Sequence, residues 1–411
     1  MTIQDRGPLS WEAPSSPAHS APLLDFAGPL LGAALANLAR GRLVIELPSG
    51  QRVERTAPLD GPDALMRVHD WKALRRVATA GSIGFADGYM EGEWTSPNLP
   101  ALIELMAVNA DQIGQTWFGS RLSRIMERLR HWARSNTKRG SRRNIAFHYD
   151  LGNDFYALWL DRGMQYSSAL FAEGDDLEAA QARKLDAIVK RLALRGGEDV
   201  LEIGFGWGAV AERLARDHGA RMVGLTLSER QLEFAAQRLK QQGLSADLRL
   251  QDYRDCGGTF DRIVSIEMIE AVGERYWPVY FASLRERLKP GGRAVIQAIT
   301  IEDCRYEDYR REPDFIQRYI FPGGMLPTPT IMRQQVEAAG LKLIGHDGFG
   351  LSYAKTLAAW RERFQAAWAD VAPLGFDERF RRMWDYYLAY CEGGFRAGAI
   401  DVGLYTIVKP E

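Results

Sequence analysis

Short apolar runs alternate with segments of helical hydrophobic periodicity from residue 144 onward. A run of roughly four to eight apolar residues bounded by glycine or polar residues is typical of a buried strand, whereas apolar residues spaced three and four apart indicate a helix. We therefore predict strands at residues 200–203, 221–226, 247–250, 260–266 and 293–299, and helices at residues 229–241 and 276–288. Strands that alternate with helices indicate a doubly wound α/β sheet.

The end of the chain continues this pattern. The sequence Lys-Pro-Gly-Gly at residues 289–292 predicts a sharp turn before the fifth strand. Beyond it we predict a strand at residues 341–347, helices at residues 356–369 and 380–390, and a closing strand at residues 404–409. Residues 144–411 are therefore interpreted as one α/β domain.

The first third of the chain has a different pattern. Residues 1–29 are rich in proline and serine and lack a basic segment followed by an apolar one, so we expect a disordered lead-in and no signal peptide. From there the sequence predicts a strand at 42–47, a strand leading into a short helix at 68–77, a glycine-punctuated segment at 81–94 and a helix at 99–107. We interpret residues 30–110 as a small α+β domain.

A glycine loop follows the first predicted strand of the α/β domain. Gly204, Gly206 and Gly208 alternate with other residues, and Glu202 lies two positions before the first of them. Glycines let the backbone approach a ligand closely, and the helix start that follows attracts a polar or anionic group. The spacing resembles the S-adenosylmethionine loop of class I methyltransferases. The alternative is a turn with a purely structural role.

Composition and charge exclude several classes of protein. The 411 residues have a net charge of -1, which argues against a nucleic-acid-binding protein. Three widely separated cysteines favour neither a disulfide framework nor a zinc site, and no cluster has metal-ligand spacing, so we expect no metal and a reducing, cytoplasmic environment. No apolar run reaches the roughly eighteen residues of a membrane span.

A basic stretch separates the two predicted domains. Residues 121–143 contain nine arginines and lysines and one acidic residue, with apolar residues at helical spacing. Such a helix binds an anionic membrane surface. The alternative is a solvated linker helix at residues 111–143 that packs on the next domain, and the two interpretations are compatible.

Several sequence blocks in the same order resemble the cyclopropane fatty acid synthase family, which includes the mycolic acid cyclopropane synthases. They lie at residues 147–156 with 164–171, 224–231, 266–273, 320–327, 353–357 and 391–396. The resemblance covers residues 144–409 and implies a class I methyltransferase fold. Residues 84–94 are similar to part of the lipid-handling amino-terminal domain of bacterial phospholipid enzymes, although less specifically.

The resemblance implies S-adenosylmethionine as cofactor. Its contacts would be Tyr166, Ser167, Glu202, Gly204, Gly206, Gly208, Thr226, Gln231 and Tyr253. The residue pattern agrees, because Thr226 and Gln231 follow the second strand and Tyr253 follows the third, where open α/β sheets bind ligands. Without the resemblance, Thr226 would be an ordinary helix cap and Tyr253 an ordinary core aromatic.

The resemblance also implies the chemistry. An alkene that attacks the sulfonium methyl becomes a carbocation, so the site must be dry, lined by aromatic faces and supplied with a base. In the family that base is a bound bicarbonate. Its holders in this sequence would be Ser168, where the family commonly has Cys, Glu270, Gln297, where it commonly has His, Tyr353 and Cys391. Ala271 also replaces a common His.

These observations leave several hypotheses open. The first is a methyltransferase that adds a one-carbon unit to unsaturated phospholipid acyl chains, is peripheral at the inner membrane face and forms either a cyclopropane or a methyl or methylene branch. The second keeps the fold and cofactor but methylates a small amine, phenol or polyketide. The third is a lipid-binding protein without turnover. The size of the exposed amino-terminal face of such enzymes suggests a homodimer.

Overall fold

The computed structural model describes residue 31 and residues 35–112 and 151–411. The predicted lead-in, most of the basic linker and the first residues of the α/β domain lie outside the described residues. Within them, no helix combines the length and the apolar character that a membrane crossing requires.

A four-stranded sheet and two helices form the amino-terminal domain. The strands are β1 (Arg40–Glu46), β2 (Arg52–Thr56), β3 (Leu59–Val68) and β4 (Trp94–Thr95), in the order β2-β1-β3-β4. The helices are α1 (Lys72–Met90) and α2 (Leu99–Val108). Strands β1 and β3 are parallel, and the two outer pairs are antiparallel. The α+β character predicted for this part of the chain is thus present.

The strand leading into a helix that the sequence predicts at residues 68–77 is present as the end of β3 and the start of α1, although the helix is longer than expected and continues to Met90. The glycine-punctuated segment at residues 81–94 lies mostly in α1. The glycines of this segment allow close packing: a Cβ on Gly84 would lie 2.1 Å from the Arg76 carbonyl oxygen. Gly81, with a φ of 55°, lies at a kink within α1.

A seven-stranded sheet is the centre of the second domain. Its strands are β5 (Asp199–Ile203), β6 (Arg221–Thr226), β7 (Ala246–Leu250), β8 (Phe260–Ile266), β9 (Leu288–Ile301), β10 (Lys342–Gly348) and β11 (Ile400–Val408). Their order is β10-β11-β9-β8-β5-β6-β7, with β10 and β11 antiparallel to their neighbours and the other strands parallel. This arrangement confirms the predicted doubly wound sheet. The turn predicted at 289–292 lies inside β9, where pairing with β8 shifts register.

Helices connect these strands and cover the sheet. They are α3 (Asn153–Ala157), α4 (Leu177–Leu192), α5 (Ala209–His218), α6 (Glu229–Gln241), α7 (Ile269–Val272), α8 (Trp277–Arg287), α9 (Tyr306–Arg311), α10 (Pro329–Ala338), α11 (Gly350–Ala366), α12 (Trp368–Val371) and α13 (Glu378–Arg396). A single π-helical turn spans Ile316–Ile320. Parallel strands place their carboxyl ends at one edge of the sheet, so the loops that follow β5, β6, β7 and β8 meet there.

The two domains share one hydrophobic core. Helix α13 packs against α1 and α2, and Gly393 lies so close to α2 that a Cβ would be 2.7 Å from the Ile103 side chain. Trp94 of the small sheet and Trp384 of α13 belong to the same buried cluster. The amino-terminal domain therefore forms a wall of the larger domain.

Asn109, which follows α2, holds the first strand in place, and its loss should destabilise the amino-terminal domain. The buried side chain accepts from the Ala39 and Arg40 amides and donates to the Arg40 and Leu105 carbonyls. Asn109→Ala leaves these buried backbone groups without hydrogen-bond partners. We therefore expect the free energy of unfolding, measured by denaturant titration, to fall by about 2–4 kcal/mol. Asn98→Ala, which removes one exposed helix cap, should cost only about 1 kcal/mol. If the two variants lost the same free energy of unfolding, Asn109 would not have this role.

Candidate functional site

The glycine loop opens the site at the carboxyl end of β5. Gly204, Gly206 and Gly208 all adopt positive φ, at 80°, 53° and 86°. A Cβ on Gly206 would meet no atom within 4 Å, so the loop leaves open space on the side that faces the cavity. Glu202, 2% exposed, is the next-to-last residue of the strand, and its Oε2 has no hydrogen-bond partner among the described residues. Burial raises the pKa of Glu202 to about 8.

The next two strand ends contribute three more of the residues predicted to contact the cofactor. Thr226 ends β6, and its hydroxyl donates to Gln231 Oε1 at 3.0 Å inside the protein. Tyr253 lies in a short 3-10 turn after β7, where burial raises its pKa to about 12. Its hydroxyl has no partner among the described residues. The orphaned atoms of Glu202 and Tyr253 fit the polar groups of a nucleoside-containing cofactor.

A buried lysine supports the segment that contains Tyr166 and Ser167. Lys184 of α4, only 1% exposed, donates to Ser167 Oγ at 2.8 Å, and burial lowers its pKa to about 8. The Tyr166 hydroxyl lies 2.7 Å from that of Tyr387 on α13. Sequence reasoning missed Lys184, because a lone lysine in a helical pattern is normally a surface residue.

Two glutamates follow β8 and face the same space. Glu267 Oε1 accepts from the Ser168 amide at 2.8 Å and from Gln297 Nε2 at 2.7 Å, and its Oε2 accepts from the Tyr353 hydroxyl at 2.7 Å. Glu270 Oε1 accepts from the Ile299 amide, and its Oε2 has no partner among the described residues.

Burial and the neighbouring Glu267 raise the pKa of Glu270 to about 8. Burial also raises the pKa of Glu267, which its three donors oppose. Sequence reasoning identified Glu270 but missed Glu267. The signal was present, since two carboxyl groups three residues apart occur among Ile266, Met268 and Ile269 at a strand end.

One cavity of about 1240 Å³ connects these groups. Its cofactor end is lined by the glycine loop, and its apolar end by α1 and α2 through Val77, Ala80, Ile83, Ile103 and Met106. A single small-molecule site usually occupies roughly 300–1,000 Å³, so the cavity has room for a second ligand beside the cofactor.

Most of the predicted site residues line this cavity. They are Tyr166, Ser167, Glu202, Gly204, Gly206, Thr226, Gln231, Tyr253, Glu270, Tyr353 and Cys391. Gly208, Ser168 and Gln297 are buried behind its wall. Burial raises the pKa of the Cys391 thiol, which therefore stays neutral.

The charges of the cavity suit a cationic ligand. Near the glycine loop and the end of β8, the carboxyl groups of Glu202, Glu267 and Glu270 line it beside the buried ammonium of Lys184. A ligand with a positive charge would favour the ionised forms of these carboxyl groups.

Comparisons with known proteins agree with this geometry. The family model described as mycolic acid cyclopropane synthetase matches residues 136–404, more than half of the chain. Tuberculostearic acid methyltransferase UfaA1 of Mycobacterium tuberculosis is 38% identical over 98% of this chain and 96% of its own length. Cyclopropane-fatty-acyl-phospholipid synthase of Escherichia coli is 37% identical over 89% and 92%.

A solved structure is similar to the larger domain. The mycolic acid cyclopropane synthase CmaA1 complexed with SAH and CTAB has a TM-score of 0.62 and 30% identity, and the match covers 65% of this chain and 98% of that one. The match to UfaA1 extends further and includes the amino-terminal domain.

Proposed function

Because the chain belongs to the mycolic acid cyclopropane synthetase family and is an S-adenosylmethionine-dependent methyltransferase, we propose that it adds a one-carbon unit to the double bond of an unsaturated acyl chain in a membrane phospholipid. The observation that carries this proposal is the continuous cavity, which joins the cofactor loop to the apolar faces of α1 and α2. A hydrocarbon chain needs such an apolar channel, whereas a small polar substrate does not. In this proposal residues 30–110 form the lipid-handling domain.

The chain's own residues would hold the cofactor and keep the reaction dry. Bound S-adenosylmethionine supplies an electrophilic methyl group. We assign Glu202, Thr226 and Gln231 to its polar groups, and Tyr253 to the adenine. The glycine loop would face the methionine part, beside Tyr166 and Ser167.

Aromatic rings surround the place where a carbocation would form. Tyr353 packs against Phe395 with ring centroids 4.6 Å apart, and Tyr166 packs against Trp360 at 5.3 Å. Aromatic faces stabilise a cation by roughly 0.5–2 kcal/mol without attacking it. The burial of these residues keeps water away from the reacting carbon.

Two products are compatible with this site. Direct loss of a proton from the new methyl group closes a cyclopropane, whereas a hydride shift before the same loss leaves a methylene branch. The branched product is favoured by the identity of 38% to a tuberculostearic acid methyltransferase and by Ser168, Ala271 and Gln297, which depart from the cyclopropanating pattern. The ring is favoured by the similarity to the synthase of Escherichia coli.

The substrate implies contact with a membrane. We propose that the enzyme binds peripherally at the inner face, where the basic stretch at residues 121–143 would meet anionic lipid. The homodimer remains a prediction from the size of the exposed amino-terminal face.

Labelled product tests the proposed function. Purified enzyme is incubated with methyl-labelled S-adenosylmethionine and vesicles of a dioleoyl phospholipid, with dipalmitoyl vesicles as the control. We expect label only in the unsaturated lipid, and NMR of the released fatty acid distinguishes a ring methylene from a branch. Label in added amines or phenols but not in the lipid would instead favour the small-molecule hypothesis.

A further inference from the structure

The carboxylate of Glu267 is held firmly at the wall of the cavity. Its two oxygens accept three hydrogen bonds, from a backbone amide, a side-chain amide and a phenol, all between 2.7 and 2.8 Å. Its own amide donates to the Gln297 carbonyl at 2.8 Å. The residue adopts a φ of 48°, which is unfavourable for a side chain of this size and persists only where neighbours enforce it.

These contacts leave few donors for a bicarbonate. Tyr353 has one O–H, which donates to Glu267, and both amide hydrogens of Gln297 are used, on Glu267 and on the Ser168 carbonyl. The Ser168 hydroxyl donates to the Ala169 carbonyl. Three of the five predicted holders therefore have no hydrogen left to donate, and only Glu270 and Cys391 remain. An added anion would also be repelled by the carboxylate already there, so the site does not fit a bicarbonate in this chain.

The donors also determine which of the two glutamates carries the charge. Two neighbouring buried carboxyl groups do not both ionise readily. Three donors, two of them side chains, stabilise the ionised form of Glu267, whereas Glu270 accepts only from backbone amides and has a pKa raised to about 8. Glu267 is thus the carboxylate that is ready to accept a proton at neutral pH, and Glu270 is the neutral partner.

We propose that Glu267 is the catalytic base, a side-chain carboxylate that does in this chain what a bound bicarbonate was predicted to do. The proposal rests on the proposed function. After methyl transfer, which leaves the C–S electron pair on sulfur, a C–H bond of the transferred carbon breaks. Its electron pair forms the new C–C bond of the ring, or the double bond of the branch after a hydride shift, and its proton passes to a Glu267 oxygen. Proton release to solvent restores the carboxylate.

The test measures label transfer to dioleoyl vesicles in buffer depleted of carbon dioxide and in the same buffer with added bicarbonate. We expect the wild-type rate to be the same in both. Glu267→Gln should lose on the order of 10²–10⁴-fold in turnover in both buffers. The variant Glu267→Gly suits the positive φ and leaves the space of the carboxylate empty. We expect it to be as slow as Glu267→Gln without bicarbonate, and we expect added bicarbonate to restore part of its activity.

Two measurements separate a catalytic role from a structural one. Cofactor binding by both variants should stay within a few fold of wild type, and restoration by bicarbonate is an effect that a misfolded site would not give. Glu286→Gln is the matched control, an exposed glutamate on α8 that should keep full activity. A wild-type enzyme that needs bicarbonate, or variants that turn over normally without it, would overturn the assignment. Absence of labelled lipid with wild type in both buffers would instead refute the proposed function.

Discussion

Replacing Gly206 with leucine should weaken binding of S-adenosylmethionine on the order of 100-fold while the protein stays folded. The glycine has a φ of 53°, lines the cavity and has no atom within 4 Å of the place where a Cβ would be. A side chain there would fill the space that the cofactor needs, and overpacking of this kind costs roughly 1–3 kcal/mol. Calorimetric titration with the cofactor measures the loss.

Gly219 provides the matched control for this experiment. It ends α5 in the same left-handed conformation, with a φ of 58°, and also has no atom near a Cβ, but it is exposed and outside the cavity. Gly219→Leu therefore carries the same backbone strain, about 1–2 kcal/mol, without a clash with ligand. If both variants bind the cofactor equally well, the loop does not hold it.

The regular part of the fold was predictable because its sequence periodicity is clear. The predicted helix at 229–241 and the strand at 260–266 match α6 and β8 residue for residue. The sequence did not assign residues 81–94 to an element, because glycines do not favour a helix. Their packing explains them: Gly88, for example, lies against the Trp94 ring.

The site was predictable in its composition and not in its hydrogen bonds. Tyr353, Gln297 and Ser168 were all identified, but as holders of a free anion. Their shared partner is Glu267, from which they are separated by 86, 30 and 99 residues along the chain. Only the folded sheet brings the ends of these segments together, so sequence alone did not distinguish Glu267 from Glu270.

Filling the apolar end of the cavity should stop lipid methylation without affecting the cofactor. Ala80 on α1 and Ala107 on α2 both line that end. A tryptophan at either position would occupy the channel proposed for the acyl chain, so we expect label transfer to dioleoyl vesicles to fall by on the order of 100-fold. Cofactor affinity should be unchanged, because the glycine loop lies at the other end.

Ala78 is the matched control, since it lies on the same helix as Ala80 but is exposed to solvent. Ala78→Trp should methylate lipid as wild type does, which separates channel blocking from any general effect of tryptophan on α1. The result also distinguishes the substrate classes. A small amine or phenol would be bound near the cofactor, so Ala80→Trp would then remain active. If that variant still methylates dioleoyl lipid at the normal rate, the acyl chain does not pass between α1 and α2, and the amino-terminal domain must have a different role.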